Sequence, residues 1–163
     1  MLTGRSKISL MKRKILIVII LLTLLFIWGN SLFDREQSAR ESNFALELLT
    51  PVLEIFLGKG NVTEHFVRKL AHFSEFFALG VELLWFFSLN TSGKEQTSFG
   101  IILLALSHSI LSALTDETIQ IFSGRGPAIP DVWLDTAGAA FGIIAAYLII
   151  SAAVKHTPDN SKK

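Results

Sequence analysis

The chain has 163 residues, a length typical of one domain, and half of these residues are apolar. Charged residues make up 18%, below the roughly 25% that is typical of soluble domains, so the composition indicates a membrane protein. The lysines and arginines form no basic stripe with interleaved aromatic residues, which argues against a nucleic-acid partner. The absence of cysteine excludes disulfides and thiolate metal ligands, so any metal would need histidine and carboxylate ligands.

The first predicted element is a membrane span at residues 15–33. A basic Lys-Arg-Lys run at 12–14 precedes it, and Asn30 and Ser31 interrupt its apolar sequence near the end. No small-residue cleavage site follows, which favours an uncleaved anchor over a secretory signal peptide. About 19 residues are just enough to cross the hydrocarbon core. Residues 1–14 are then a basic cytoplasmic N-terminus.

The second predicted element is an outer segment at residues 34–68, which is the longest polar stretch. It nevertheless carries apolar residues at helical spacing, namely Phe44, Leu48, Val52, Ile55 and Phe56. Thr50 and Pro51 are residue types that cap and start a helix, so a helical piece is expected to begin there. We expect an extracytoplasmic amphipathic segment lying along the membrane interface. A short packed connector is the alternative.

Three further apolar segments predict three more membrane spans. They cover residues 69–89, 98–122 and 132–154. Their connections, at 90–97 and 123–130, are short enough for antiparallel neighbours. The predicted fold is therefore all-α, an integral membrane four-helix bundle with short connections and the outer amphipathic segment between its first two helices. Residues 69–154 form its core.

The distribution of basic residues predicts the orientation of the chain. With four spans both termini lie on one side, where nine of the fifteen lysines and arginines fall, against six on the other side. The positive-inside rule therefore places both termini in the cytoplasm, with residues 155–163 as a cytoplasmic tail.

Ionisable side chains inside a span cost about 2.5–3.5 kcal/mol each on insertion scales, so each one calls for a reason. In the three C-terminal spans the polar side chains follow helical stripes. The second span carries His72, Glu75 and Glu82; the third carries His108, Asp116, Glu117 and Gln120; the fourth carries Asp135, with Asp131 directly at its start.

The depths of these residues predict a shared site. A helical rise of about 1.5 Å per residue places four of the side chains in one layer beneath the outer surface. They are His72, Glu75, Asp116 and Asp135. Arg125 lies above this layer in a tight turn, while Glu82 and His108 lie deeper, at matched depths where they could pair. Gly138 and Gly142 form a small-residue face on the last span, which predicts close packing against a neighbouring helix.

Three segments resemble, in sequence and in order, the VanZ-like family of bacterial membrane proteins. They are RKLAHFSEFFALG at 68–80, DETIQIFSGR at 116–125 and DVWLDTAGAAFG at 131–142. The resemblance implies a bacterial cell membrane location and an association with low-level resistance to teicoplanin and related glycopeptide antibiotics. Two positions depart from the frequent family pattern. Phe77 stands where Tyr is frequent, and Asp135 stands where Asn is frequent, which adds a negative charge.

The polar layer supports a first functional hypothesis, in which it binds or modifies a cell-envelope or lipid-linked substrate at the outer leaflet. The substrate would be a lipid-linked cell-wall precursor or a phospholipid headgroup. His72 would act as general acid or base, oriented by Glu75 or Asp116, with Glu117 as a further catalytic candidate. Substrate contacts would come from Gln120, Arg125, Asp131 and Asp135. In a variant of this hypothesis, His72 and the carboxylates hold a divalent metal.

Other interpretations of the same residues stay open. The protein could bind a cell-wall precursor, or shield it from glycopeptides, without turnover. A small proton-coupled transporter could use Glu82 and His108 as a relay, although four short unbroken spans argue against it. Finally, ion pairs of His72 with Asp116 and of Arg125 with Asp131 could simply fix the bundle. The sequence names no cofactor and leaves enzymatic turnover and oligomeric state open.

Overall fold

The computed structural model describes residues 4–33, 35–89, 91, 98–124 and 128–156. These residues form five α-helices and no strand, which confirms the all-α prediction. The helices are α1 (Gly4–Ser31), α2 (Arg35–Leu57), α3 (Glu64–Ser88), α4 (Phe99–Phe122) and α5 (Ile129–His156).

Three of the described helices, α3, α4 and α5, are long and apolar enough to cross a membrane. They correspond to the last three predicted spans. α3 begins at Glu64, ahead of the predicted start at residue 69, because Thr63 caps it. The Thr63 hydroxyl accepts a hydrogen bond from the Phe66 N–H at 3.2 Å, and the Glu64 carboxylate suits the positive end of the helix dipole.

The first predicted span, residues 15–33, lies within α1 except for its last two residues, and the large apolar side chains of α1 point mostly outward. Leu22, Leu25 and Phe26 are 60%, 66% and 59% exposed. Such a surface suits contact with lipid, since a soluble helix would bury an apolar face this large. By length and composition, the described residues contain three candidate membrane spans. A fourth span formed by α1 stays a prediction.

α2 is one continuous helix that runs through Pro51. The expected helix start at Thr50 is therefore wrong. Pro51 removes one helical hydrogen bond without ending the helix, and one turn earlier the Thr50 hydroxyl donates to the Leu46 carbonyl at 2.6 Å. The predicted apolar face is present on the helix surface, with side chains between 55% and 80% exposed. It comprises Phe44, Leu48, Val52, Ile55 and Phe56.

α3 lies at the centre of the molecule and packs against the other four helices, while α4 also packs against α1 and α5. α1 runs antiparallel to α3, because Thr23 contacts Glu82 whereas Asn30, further along α1, contacts Glu75. The ends of α1 and α4 and the starts of α3 and α5 consequently share one end of the molecule, here called the polar end.

Glycines allow α3 and α5 to approach each other closely. A Cβ on Gly138 would collide with the carbonyl oxygen of Phe73, and one on Gly142 with that of Phe77. Gly80 of α3 lies equally close to the Ala139 backbone. The predicted packing role of the glycine face on α5 is therefore confirmed. This contact fixes α5 against α3 just below the polar end.

Candidate functional site

Polar side chains from four helices meet at the polar end, and together we call them the polar cluster. They are Asn30 and Ser31 of α1, His72 and Glu75 of α3, Asp116 and Gln120 of α4, and Asp135 of α5. Ser31 and Asp116 are completely buried, and Asp135 is 3% exposed. The side chains of His72 and Glu75 retain 17% and 15% exposure, so they are less deeply buried than Ser31, Asp116 and Asp135.

Asp116 is held firmly from two sides. The Ser31 hydroxyl donates to Oδ1 at 2.5 Å, and the Gln120 amide donates to Oδ2 at 2.7 Å. Gln120 follows Asp116 by four residues, so α4 itself supplies one of the two donors. Hydrogen bonds to a carboxylate are stronger than those between neutral groups. Asp116 is therefore the best-anchored acid of the polar cluster.

His72 lies between two carboxylates. Its Nδ1 is 3.9 Å from Asp116 Oδ2 and 4.0 Å from Glu75 Oε2. Glu75 follows His72 by three residues, which places both side chains on one helix face. Glu75 Oε1 accepts a hydrogen bond from the Asn30 amide at 3.4 Å, whereas its buried Oε2 has no hydrogen-bond partner among the described residues. The arrangement suits proton exchange at His72.

Asp135 completes the polar cluster from α5. His72, Asp116 and Asp135 each offer one ligand-type atom, and these three atoms all lie within 4.8 Å of one another. Asp135 Oδ1 is buried and has no hydrogen-bond partner in the described part of the chain. One imidazole nitrogen and two carboxylate oxygens are a donor set that divalent metals accept.

Two other predicted site residues, Asp131 and Glu117, lie next to the polar cluster. Asp131 forms an ion pair with Lys69 at 3.0 Å, and both side chains are 34% exposed. Glu117 is buried and accepts a hydrogen bond from the Ala128 N–H, next to the start of α5. Arg125 lies outside the described residues. Asp131 thus has a partner on α3, whereas the pair predicted from the sequence joined it to Arg125.

The predicted pair of Glu82 and His108 does not form. Glu82 Oε1 accepts a hydrogen bond from the Thr23 hydroxyl at 2.9 Å, and its Oε2 has no hydrogen-bond partner in the described ranges. His108 is exposed and packs on the ring of Phe87, with a centroid distance of 5.2 Å. Eight residues separate His108 from Asp116, which turns His108 about 80° away around α4. The proton-relay hypothesis therefore loses the contact on which it depended.

The contribution of α1 to the polar cluster was not predicted from the sequence. Asn30 and Ser31 reach Glu75 and Asp116, and deeper along the helix Thr23 reaches Glu82. A signal was present, because Asn30 and Ser31 interrupt the apolar segment near its end. Because residues 15–33 were interpreted only as a membrane anchor, these side chains were not assigned to a site.

Comparison with known proteins supports the resemblance found in the sequence. The VanZ/LLP1 family model matches residues 15–150, a range that contains every member of the polar cluster. Among curated proteins and solved structures, none matches the chain. The family match spans far more than half of the 163 residues, and three described helices can cross a membrane. The chain is a membrane protein that belongs to the VanZ/LLP1 family.

Proposed function

We propose that this VanZ-like protein binds the polar head of a lipid-linked cell-envelope substrate at the outer membrane face and modifies it with the polar cluster. The substrate class is a lipid-linked cell-wall precursor or a phospholipid. The observation that carries the proposal is the position of His72, whose Nδ1 lies 3.9 Å from Asp116 and 4.0 Å from Glu75. An imidazole next to carboxylates is suited to general acid–base chemistry.

The cost of the polar cluster supports a function beyond packing. Charged groups in a span cost about 2.5–3.5 kcal/mol each on insertion scales. Hydrogen bonds between membrane helices contribute less, on average about 0.6 kcal/mol. Glu75 Oε2 and Asp135 Oδ1 are buried without any hydrogen bond from the described residues, so these oxygens do not serve as hydrogen-bonded glue. A ligand that uses them explains their presence better.

Cationic side chains near the polar cluster suit an anionic headgroup. Lys69 and Arg68 lie at the start of α3, each with about a third of its side chain exposed (34% and 33%). In this proposal they attract a phosphate or carboxylate to the rim, while Gln120 and Asp135 contact the bound head. Arg125 adds a guanidinium, which binds such oxyanions with two parallel hydrogen bonds.

The proposed topology has four spans, with α1 as the first, both termini in the cytoplasm and the polar end outside. Supporting observations are the outward-facing apolar side chains of α1 and the excess of basic residues on the side of the termini. Gly126→Cys in this cysteine-free chain should react with an impermeant maleimide in intact cells. Ser161→Cys should react only after the membrane is permeabilised. The reverse pattern would refute this topology.

Complementation of a deletion strain tests the proposed function. The strain is measured for sensitivity to teicoplanin-type glycopeptides and to lipopeptides, with membrane abundance of each variant as a check. We expect His72→Ala, Asp116→Ala and Arg125→Ala to fail to complement. His108→Ala, on an exposed face of α4, should complement fully and serves as the matched histidine control. Full activity of both His72→Ala and Asp116→Ala would end the proposal.

Binding or shielding of a cell-wall precursor without turnover is the second candidate function. It is favoured by the hydrogen bonds that occupy both oxygens of Asp116, because a carboxylate fixed in this way positions a ligand well. The purified protein, incubated with lipid-linked precursor, separates the two candidates. Product formation that depends on His72 favours the first, whereas saturable binding with unchanged precursor favours the second.

A further inference from the structure

The distances around His72 fit an ion better than a direct contact. Separations of 3.9 and 4.0 Å from Nδ1 to the two neighbouring carboxylates exceed hydrogen-bond length. Two ligand atoms that each lie about 2.0–2.2 Å from one metal ion are separated by roughly 3–4 Å. The separations between His72 and the two carboxylates are therefore close to those expected for ligands that share one cation.

A second observation, independent of these distances, also points to a cation. Asp135 is 3% exposed, and its Oδ1 has neither a hydrogen bond nor an ion pair among the described residues. Burial of a carboxylate without a partner is costly unless a proton or a cation neutralises it. This oxygen belongs to a carboxylate grouped with His72 and Asp116, whose ligand atoms all lie within 4.8 Å of one another.

We infer that His72, Asp116 and Asp135 bind one divalent transition-metal ion at the polar end. Each ligand comes from a different helix, so the ion ties α3, α4 and α5 together. Glu75 Oε2, which is also without a hydrogen bond in the described ranges, lies beside this group at 4.0 Å from His72 Nδ1.

The surrounding hydrogen bonds resemble those that orient metal ligands in other proteins. Ser31 and Gln120 fix the two oxygens of Asp116, and Asn30 holds Glu75 by its Oε1, which leaves Oε2 turned toward His72. Outer hydrogen bonds of this kind typically change metal affinity about 10–100-fold when they are removed. α1 contributes two of these residues, so it supports the site without supplying a ligand.

The donor set determines the class of ion. Imidazole with carboxylates favours Zn²⁺ or Mn²⁺, whereas Ca²⁺ and Mg²⁺ prefer oxygen ligands alone. Thiolate-preferring ions are disfavoured because the chain has no cysteine. The inference rests on the proposed function only for the role of the ion, which would polarise the bound headgroup. Metal binding itself needs no substrate.

Metal analysis of the full-length protein tests this inference. The protein is purified in detergent with a tag that contains no histidine, treated with a chelator, and supplied with Zn²⁺ or Mn²⁺ beside an excess of Mg²⁺. We expect about one ion per chain, measured by mass spectrometry of the metals after dialysis. His72→Ala, Asp116→Asn and Asp135→Asn should each lower the affinity about tenfold or more.

Two control variants make the result specific. Asp131→Asn removes a carboxylate from the rim of the same helix that carries Asp135, and His108→Ala removes an exposed histidine. Both should bind the ion as the unaltered protein does. Asp135→Asn is the decisive variant, because its Oδ1 has no hydrogen bond to lose within the described residues; circular dichroism confirms that it remains helical.

The outcomes separate the metal site from the proposed function. The site is refuted if the unaltered protein binds no ion, if Asp135→Asn and His72→Ala bind normally, or if Mg²⁺ displaces the ion at equal concentration. A protein that loads Zn²⁺ or Mn²⁺, but whose His72→Ala variant fully complements the deletion strain, would keep the metal site and refute the proposed function.

Discussion

The contact of α3 with α5 and its contact with α1 are built differently. In the middle of the helices, α3 meets α5 through glycines, and Gly80 and Gly142 leave no room for a Cβ against the opposite backbone. α3 meets α1 through side-chain hydrogen bonds, from Thr23 to Glu82 and from Asn30 to Glu75. The first contact depends on the close approach of two backbones, whereas the second combines these polar pairs with apolar packing, since Ile27 of α1 is completely buried in the core.

The two kinds of contact differ in what they tolerate. A glycine contact between backbones allows very little change in spacing, because interiors are close-packed. Hydrogen bonds between membrane helices are individually weak and average about 0.6 kcal/mol. We therefore expect α5 to be fixed against α3, whereas α1 is the more weakly held helix. The polar cluster draws on both, with Asp135 on the fixed helix and Ser31 on the weakly held one.

The largest expected effect comes from filling the glycine contact. Gly142→Leu places a side chain where even a Cβ would collide with the Phe77 carbonyl oxygen. We expect a loss of stability at or above the upper end of the range of about 1–3 kcal/mol for overpacking. Membrane abundance and the thermal unfolding temperature in detergent measure this loss.

A matched glycine gives the control for this prediction. A Cβ on Gly29 of α1 would meet no atom within 4 Å, so Gly29→Leu should leave abundance unchanged. Equal loss in both variants would mean that glycine itself, and not the close approach of α3 and α5, is required.

A smaller loss is expected where α1 meets the polar cluster. Ser31→Ala removes the hydroxyl that donates to buried Asp116 at 2.5 Å. Hydrogen bonds between membrane helices reach at most about 1.7 kcal/mol, and this one is made to a buried carboxylate, so the unfolding temperature should fall, but less than for Gly142→Leu. Ser107→Ala is the control, because the Ser107 hydroxyl is exposed and donates within its own helix to Leu103. An unchanged unfolding temperature for Ser31→Ala would show that α1 does not depend on this contact.

The sequence predicted the polar cluster best where a rare residue type and a simple periodicity coincide. His72, Glu75, Asp116 and Asp135 are polar residues in apolar segments, and the helical rise gives their depths directly. The depth of a residue does not say toward which neighbouring helix its side chain points. For this reason the prediction that these four residues lie together agrees with the structure, whereas the predicted pairing of Glu82 with His108 was wrong.

Contacts that depend on a partner far along the chain were harder to predict. Ser31 is 85 residues from Asp116, and nothing local identifies it as the donor to that carboxylate. Gly80 is a single small residue whose importance follows only from the nearby Ala139 backbone. Pro51 is usually a helix breaker, but one missing hydrogen bond did not end α2. For Ser31 and Gly80, tertiary packing decided what local sequence could not.

A deeper contact of α1 should have a smaller effect than Ser31. Thr23→Val keeps the shape of the side chain but removes the hydroxyl that donates to Glu82 at 2.9 Å. We expect a loss of about 0.6 kcal/mol, which is the average for hydrogen bonds between membrane helices. Thr118→Val is the control, since the Thr118 hydroxyl bonds within α4 to Leu114. If both variants unfold at the same temperature as the original protein, hydrogen bonding to Glu82 does not hold α1.

The smallest effect on stability is expected in α2, which makes neither kind of contact through its apolar face. Phe56 is 80% exposed, so Phe56→Cys should change stability by less than about 0.5 kcal/mol.

The environment of Phe56 should nevertheless be distinctive if α2 lies in the membrane interface. A spin label at this position should be relaxed by oxygen dissolved in lipid. A label at Glu47→Cys, nine residues earlier and therefore about half a turn away around the helix, should be relaxed by a water-soluble nickel chelate instead. Equal access of the water-soluble reagent to both positions would mean that α2 is a connector in water and does not lie in the membrane interface.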